Sequence, residues 1–155
     1  METINKLSDV LISEVGPRDG LQSIKTIMDT DHKKKWLSAL CDSGIKEIEC
    51  CSFVPPKLLP QMADANEIVQ YCKSLSGWHV MGLVPNLQGV KDAIAAGVDK
   101  VTFPLSASNV HSVSNLRKTC KEAVDELAKI VSFCREVAPE IKVEVGISTA
   151  FGCTL

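Results

Sequence analysis

Five short runs rich in β-branched residues recur along this chain, at residues 10–15, 47–53, 79–84, 100–105 and 142–147. Between them lie segments whose apolar residues return every three or four positions, the spacing of an amphipathic helix. A β-α-β-α-β-α-β-α-β order constrains the fold more than any other feature. Strands separated by helices pair in parallel through right-handed crossovers. The runs are nearly continuously apolar, as expected of strands covered on both faces. Two architectures satisfy the pattern: an open doubly wound sheet, or part of a (β/α)8 barrel.

The four helical segments carry their own stop signals. The first contains Trp36, Leu37, Leu40 and Cys41 and ends at Gly44. The second carries Met62, Ala65, Ile68, Val69, Cys72 and Leu75, with Asp64 and Glu67 spaced as a capping pair. The third holds Val90, Ile94 and Ala95 and ends at Gly97; both glycines suit the left-handed position that closes a helix. In the fourth, Leu116, Cys120, Val124, Leu127, Val131 and Cys134 form one stripe that Pro139 stops.

No G-x-G-x-x-G or Walker sequence follows any strand, which counts against a nucleotide-binding open sheet. Polar residues instead collect at the carboxyl end of strand after strand: Glu14, Arg18 and Asp19, then Glu49 and Ser52, then Asn86, then Ser106 and Ser108, then Ser148 and Thr149. In a barrel those ends share one face, where active sites of this fold are built. The pattern therefore favours a TIM barrel of class α/β, with these residues supplying about the first five strands and four helices. A whole barrel takes about 250 residues, so residues 1–155 are expected to be the N-terminal portion of a single catalytic domain.

Composition excludes several functions. With 17 basic and 19 acidic residues the net charge is −2, which gives no electrostatic reason to expect nucleic acid or an anionic membrane as partner. No run approaches the roughly 20 apolar residues that span a bilayer. METINKLSDV lacks a signal or transit composition, so a cytoplasmic protein is expected. Seven cysteines without a C-x-x-C pair argue against a disulfide framework and a cysteine zinc site. Lys33, Lys34 and Lys35 are read as the wet face of a helix.

Within EVGPRDGLQ, Asp19 before Gly20 is either a turn-former or a hard oxygen ligand suited to Mg²⁺ or Mn²⁺. Arg18 beside it is either a surface residue or a fixed set of donors for an anionic oxygen. Glu49 stands in the apolar run Ile48-Glu49-Cys50-Cys51, where a carboxylate is costly unless paired, and Arg18 is a plausible partner. Ser52, Asn86 and Ser108 could equally cap the helices that follow them. His32 reads as solvated, His79 as lying away from the active face, and His111 as able to reach it.

EVGPRDGLQ, IECCSFVPPKLLPQMAD, PNLQGVKDAIAAGVDKV and STAFGC together resemble the hydroxymethylglutaryl-CoA lyase family, metal-dependent TIM-barrel enzymes with an Asp-Arg-Glu signature. The resemblance implies cleavage of 3-hydroxy-3-methylglutaryl-CoA, or a close analogue, to acetyl-CoA and acetoacetate, within leucine degradation. It implies Asp19 as a ligand of a divalent metal, Mg²⁺ or Mn²⁺, Arg18 and Glu49 as catalytic, and Arg18, Gln22, Ser52, Asn86 and Ser108 around an acyl-CoA substrate. Cys153 matches a cysteine that is structural or redox-sensitive. Remaining metal ligands are expected beyond Leu155, so the 155 residues alone are expected to be inactive, and a homo-oligomer is expected. Asn109, His111 and Thr149 depart from the family pattern. The alternatives are a Claisen-type synthase of 2-oxoacids and acetyl-CoA from the same superfamily, and an inactive half-barrel.

Overall fold

In the computed structural model, residues 10–155 are described; residues 1–9, on which the expectation about a leader rests, lie outside them. Five parallel strands run β1 (Ser13–Glu14), β2 (Glu47–Ser52), β3 (His79–Leu83), β4 (Lys100–Ser106) and β5 (Lys142–Ser148). Each pairs with its predecessor, in the order β1-β2-β3-β4-β5. A doubly wound sheet reverses its strand order at a switch point; this sheet never does. The sequential order is that of a (β/α)8 barrel, as the strand and helix rhythm predicts.

Five helices accompany the strands: α1 (Thr30–Asp42), α2 (Ala65–Ser74), α3 (Leu87–Ala96), α4 (Asn109–Leu116) and α5 (Cys120–Val137). Gly44 and Gly97 take φ values of 87° and 95°, closing α1 and α3 in the left-handed conformation that glycine adopts without a steric penalty. The predicted fourth helix is two. The backbone turns left-handed at Arg117, and α5 starts afresh at Thr119, whose capping box with Glu122 satisfies the first amides of the new helix. Asp64 precedes α2 but caps nothing. Its carboxylate instead accepts from Thr30 at 2.8 Å and Lys33 at 2.6 Å.

Lys33 thus departs from the expected wet face. It is buried, with its ammonium donating to the Gln61 carbonyl as well as to Asp64. A lysine can be buried where its charge is paired and its donors are used. Lys34 is part-buried against α2, where its ammonium donates to Glu67 at 2.6 Å, and Lys35 is exposed.

The core lies between the outer face of the sheet and the helices, around Ile48, Val80, Val84, Val101 and Phe103 with Leu37, Ile68, Val90 and Ile130. Cys50, Cys51, Cys72 and Cys134 are buried there, and all seven cysteines are free. The inner face corrects the expectation of strands apolar on both sides. Glu47 and Glu49 alternate on β2, Lys100 starts β4, and Glu144 lies on β5; Lys100 bonds to Glu47 and Glu144 at 2.8 and 2.7 Å.

β2 also contains a bulge. Glu49 pairs with Met81, whereas Cys51 pairs with Gly82 and Ser52 with Leu83, leaving Cys50 as the extra residue.

Candidate active site at the carboxyl ends of the strands

After β1 the chain winds into a five-residue π-turn, Gly16–Gly20, whose Arg18 and Asp19 amides both donate to the Val15 carbonyl. The Glu14 carboxylate accepts the Gly16 N–H at 2.6 Å. A Cβ on residue 16 would lie 2.8 Å from that carboxylate and 3.4 Å from the Trp36 ring. Glycine therefore lets the turn seat itself against β1 and α1. Pro17 is buried in the turn, and the next two side chains project over the strand ends.

Arg18 reaches β2. Its Nε donates to Glu49 Oε2 at 2.6 Å, and Nη2 contacts the same oxygen. Its Nη1 donates to Asp19 Oδ1 at 2.9 Å. Glu49 is 1% exposed and Arg18 14%, whereas Asp19 is 61% exposed. Burial pushes the Glu49 carboxyl above its ordinary range, and the Arg18 guanidinium only partly pulls it back. Both arginine donors converge on one oxygen, and Glu49 Oε1 stays buried without a well-formed hydrogen bond, the Thr102 hydroxyl beside it being likewise unpartnered. A buried acceptor left in that state is uncommon and calls for an explanation.

The remaining residues are placed as follows. Ser52 ends β2, fully buried with its hydroxyl unpartnered. Asn86 caps α3 by accepting the Gly89 N–H at 2.9 Å, and Ser108 caps α4 by accepting the His111 N–H at 3.3 Å. Gln22 lies just past the turn and is exposed. Ser52 and Asn86 line a cleft of about 650 Å³, with Phe53 and Pro55 on one wall and Asn66 and Asp92 from α2 and α3 beyond. Six of the seven candidates thus lie at or just beyond strand ends and Glu49 lies within β2, and only Arg18, Asp19 and Glu49 bond directly to one another.

Sequence reasoning left two groups outside the site. Ser106 Oγ and His111 Nδ1 lie 2.7 Å apart at the end of β4. Thr149 holds a φ of 60° and accepts the Ser108 N–H at 3.1 Å through its hydroxyl. The signal for both was present in the position of Ser106, His111 and Thr149 after strand ends, although their pairing crosses loops that spacing alone does not connect.

The chain belongs to the HMGL-like family. That family's model matches residues 9–154. Relatives include the mitochondrial hydroxymethylglutaryl-CoA lyase of Arabidopsis thaliana, 37% identical over 93% of this chain and 30% of that protein. The Bacillus subtilis lyase YngG is 33% identical over 93% of this chain and 48% of its own length. The solved B. subtilis HMG-CoA lyase superposes with a TM-score of 0.86 at 33% identity, over 93% of this chain and 48% of that one. An Acinetobacter baumannii HMG-CoA lyase, solved with coenzyme A and 3-methylmalate, gives 0.87 at 31% identity, over 99% and 48%. This HMGL-like chain therefore spans about half, or less, of each of these relatives. Relatives are named for both mitochondria and cytoplasm, so membership fixes no compartment. No helix among the described residues is long and apolar enough to cross a membrane.

The donor set fits a divalent metal only in part. Asp19 offers a hard carboxylate oxygen on an open turn, oriented by Arg18, with Oδ2 receiving no hydrogen bond among the described residues. Among those residues no three histidine, cysteine or acidic side chains converge on one point.

Proposed function

We propose that this HMGL-like chain supplies the Arg18–Asp19–Glu49 side of a carbon–carbon lyase acting on 3-hydroxy-3-methylglutaryl-CoA or a close analogue, releasing acetyl-CoA and acetoacetate. The observation that carries the reading is the buried, unpartnered Glu49 Oε1 within β2, beside a guanidinium fixed in the turn that follows β1. The names of the relatives support it and favour the lyase over the synthase.

The chemistry asked of these residues is a retro-Claisen cleavage. The substrate's tertiary hydroxyl gives up its proton, the adjacent carbon–carbon bond breaks to leave the acetoacetate ketone, and the electron pair moves onto the thioester as an enolate, whose carbon then takes a proton from a general acid to become acetyl-CoA. Glu49 Oε1 accepts a hydrogen bond from that hydroxyl, and its raised carboxyl pKa suits it to take the proton. Arg18, steered by Glu49 Oε2 and Asp19 Oδ1, presents donors to the developing enolate oxygen. Asp19 would hold Mg²⁺ or Mn²⁺, which when bound polarises substrate oxygens and eases loss of the hydroxyl proton. Ser52, Asn86, Ser108 and Gln22 surround the acyl-CoA, with Asn86 and Ser108 also serving the helix starts.

In this reading residues 1–155 supply the first five strands, and the helical connections between them, of one catalytic domain that acts in leucine degradation, in the cytoplasm, as a homo-oligomer. Both sheet edges, with Leu11 and Ile12 beside β1 and Ile147 on β5 exposed, are where the remaining strands of the barrel would pair. Protein carrying these residues within a complete barrel, given Mn²⁺, is expected to release acetyl-CoA from hydroxymethylglutaryl-CoA. Consumption of acetyl-CoA only together with a 2-oxoacid would replace the lyase by the synthase. Turnover by the 155 residues alone would overturn the placement of essential groups outside them.

A further inference from the structure

His111 enters neither the Arg18–Glu49 pair nor any helix cap through its ring, yet the fold holds that ring firmly. β4 alternates its side chains, and Lys100 faces inward to meet Glu47 and Glu144. Ser106, six residues on in the same strand, falls on that inner face at the mouth and is buried. Its hydroxyl lies 2.7 Å from His111 Nδ1, so the imidazole sits over the inner rim rather than out along α4. The loop carrying it is braced twice: Ser108 Oγ accepts the His111 amide, and Thr149 Oγ1 accepts the Ser108 amide across to β5.

Thr149 takes a left-handed φ of 60° in making that brace. A β-branched residue in this region is strained, and such strain persists where the surroundings enforce it, typically beside a functional site. With Nδ1 engaged by Ser106, His111 keeps Nε2 free of any partner among the described residues. When the Ser106 hydroxyl donates to Nδ1, the ring proton resides on Nε2 and makes it a donor. α4 contains no acidic residue to compete for it.

We infer that His111, held by Ser106 at the rim of the barrel, is a substrate-binding residue whose Nε2–H donates to an acceptor oxygen of the acyl-CoA. This rests on the acyl-CoA reading proposed above. The oxygen belongs either to the free carboxylate of the acyl group or to an amide carbonyl of the pantetheine arm, and both present the same acceptor to an imidazole N–H.

Calorimetric titration of the metal-free protein, in which the substrate is not turned over, separates these sources. Hydroxymethylglutaryl-CoA and acetyl-CoA are each titrated into the wild type, His111→Phe, His111→Gln and Ser106→Ala. Loss of one hydrogen bond weakens binding about three- to tenfold. His111→Phe is expected to show that loss, His111→Gln to recover part of it through its amide donor, and Ser106→Ala to fall between them and the wild type. A loss confined to hydroxymethylglutaryl-CoA assigns the bond to the carboxylate; an equal loss for both thioesters assigns it to the arm. Independently, the Nε2 resonance of His111 in ¹⁵N-histidine-labelled wild-type protein is expected to shift on adding hydroxymethylglutaryl-CoA, a readout that needs no variant to fold. Unchanged affinities in folded variants, or an unmoved resonance while the ligand binds, would overturn the inference and leave the lyase reading standing. A wild type that binds neither thioester would overturn both.

Discussion

Two charge clusters occupy the inner side of the same sheet, one centred on Lys100 at the amino end of β4 and one on Arg18 beyond the carboxyl end of β1, with Glu47 and Glu49 two residues apart on β2. At the amino end Lys100 sits between Glu47 and Glu144, with 2.8 and 2.7 Å bonds to the two carboxylates. At the carboxyl end Arg18 spends two donors on one oxygen of Glu49, whose other oxygen has no partner, and a third donor on the exposed Asp19. Charge and burial are similar, and the use of donors and acceptors is not. The amino-end cluster resembles a structural ion network, and in this fold that end reads as stability. The carboxyl-end cluster holds an unsatisfied acceptor beside a fixed cation, which stabilises little by itself and leaves room for a ligand.

The sharpest way to break the contrast is to remove the cation from each cluster. Lys100→Met strands Glu47 with its neighbour Glu144 and is expected to cost about 3 kcal/mol of unfolding free energy in urea titration, since breaking a buried pair leaves an uncompensated charge. Its affinity for acyl-CoA should remain that of the wild type. Arg18→Met is expected to cost less, about 2 kcal/mol, because burial already disposes Glu49 to take up a proton. In a complete barrel, however, it should lower kcat about 10³-fold, as removal of an oxyanion donor does.

The two clusters should also lose their contributions in separate windows as pH rises, Glu49 from 4.5 upward and Lys100 from 10.5 upward. Burial raises the Glu49 carboxyl above its ordinary 4.5 despite Arg18. Its folded form thus binds a proton more tightly than its unfolded form, and the associated stability is complete below 4.5 and lost as pH rises through the folded value. Glu49→Gln should flatten that part of the stability profile measured by thermal unfolding, with a change of about 1 kcal/mol at neutral pH. For Lys100, burial pulls the ammonium down, but the bonds to Glu144 and Glu47 outweigh it and the net shift is upward from 10.5. Its contribution should hold to 10.5 and be lost only as pH rises through the higher folded value. Asp19→Asn is the smallest perturbation. At an exposed position it should leave stability within about 0.5 kcal/mol, while weakening Mn²⁺ binding measured by electron paramagnetic resonance.

Much of the carboxyl-end cluster was legible in sequence because its logic is local. Arg18 and Asp19 are adjacent in a glycine-bracketed turn, and Glu49 is conspicuous inside an apolar run, where a carboxylate requires a partner. The amino-end cluster was not legible. Glu47, Lys100 and Glu144 each open or enter a strand as ordinary charges, and they meet across 53 and 44 residues only when the sheet is assembled. Lys33 escaped for the same reason, its partner Asp64 lying 31 residues away. The strand and helix rhythm survived because hydrophobic periodicity is itself local. The division of the fourth helical segment was readable in principle: Thr119 with Glu122 has the spacing of a capping box, yet the apolar stripe ran through it and concealed the break.

The bulge at Cys50 has a consequence for how this strand tolerates change. In an unbroken strand Glu49 and Ser52, three residues apart, would point to opposite faces. The extra residue restores the phase, so that Ser52, paired with Leu83, falls on the same side as Glu49, paired with Met81. Cys50 therefore acts as a spacer in the side-chain frame of β2. Replacing its thiol with another small apolar group keeps the bulge, whereas deleting the residue would leave a regular strand in which Ser52, now two residues from Glu49, still pairs with Leu83 and stays on the same face, so this strand should tolerate loss of the residue better than insertion of another.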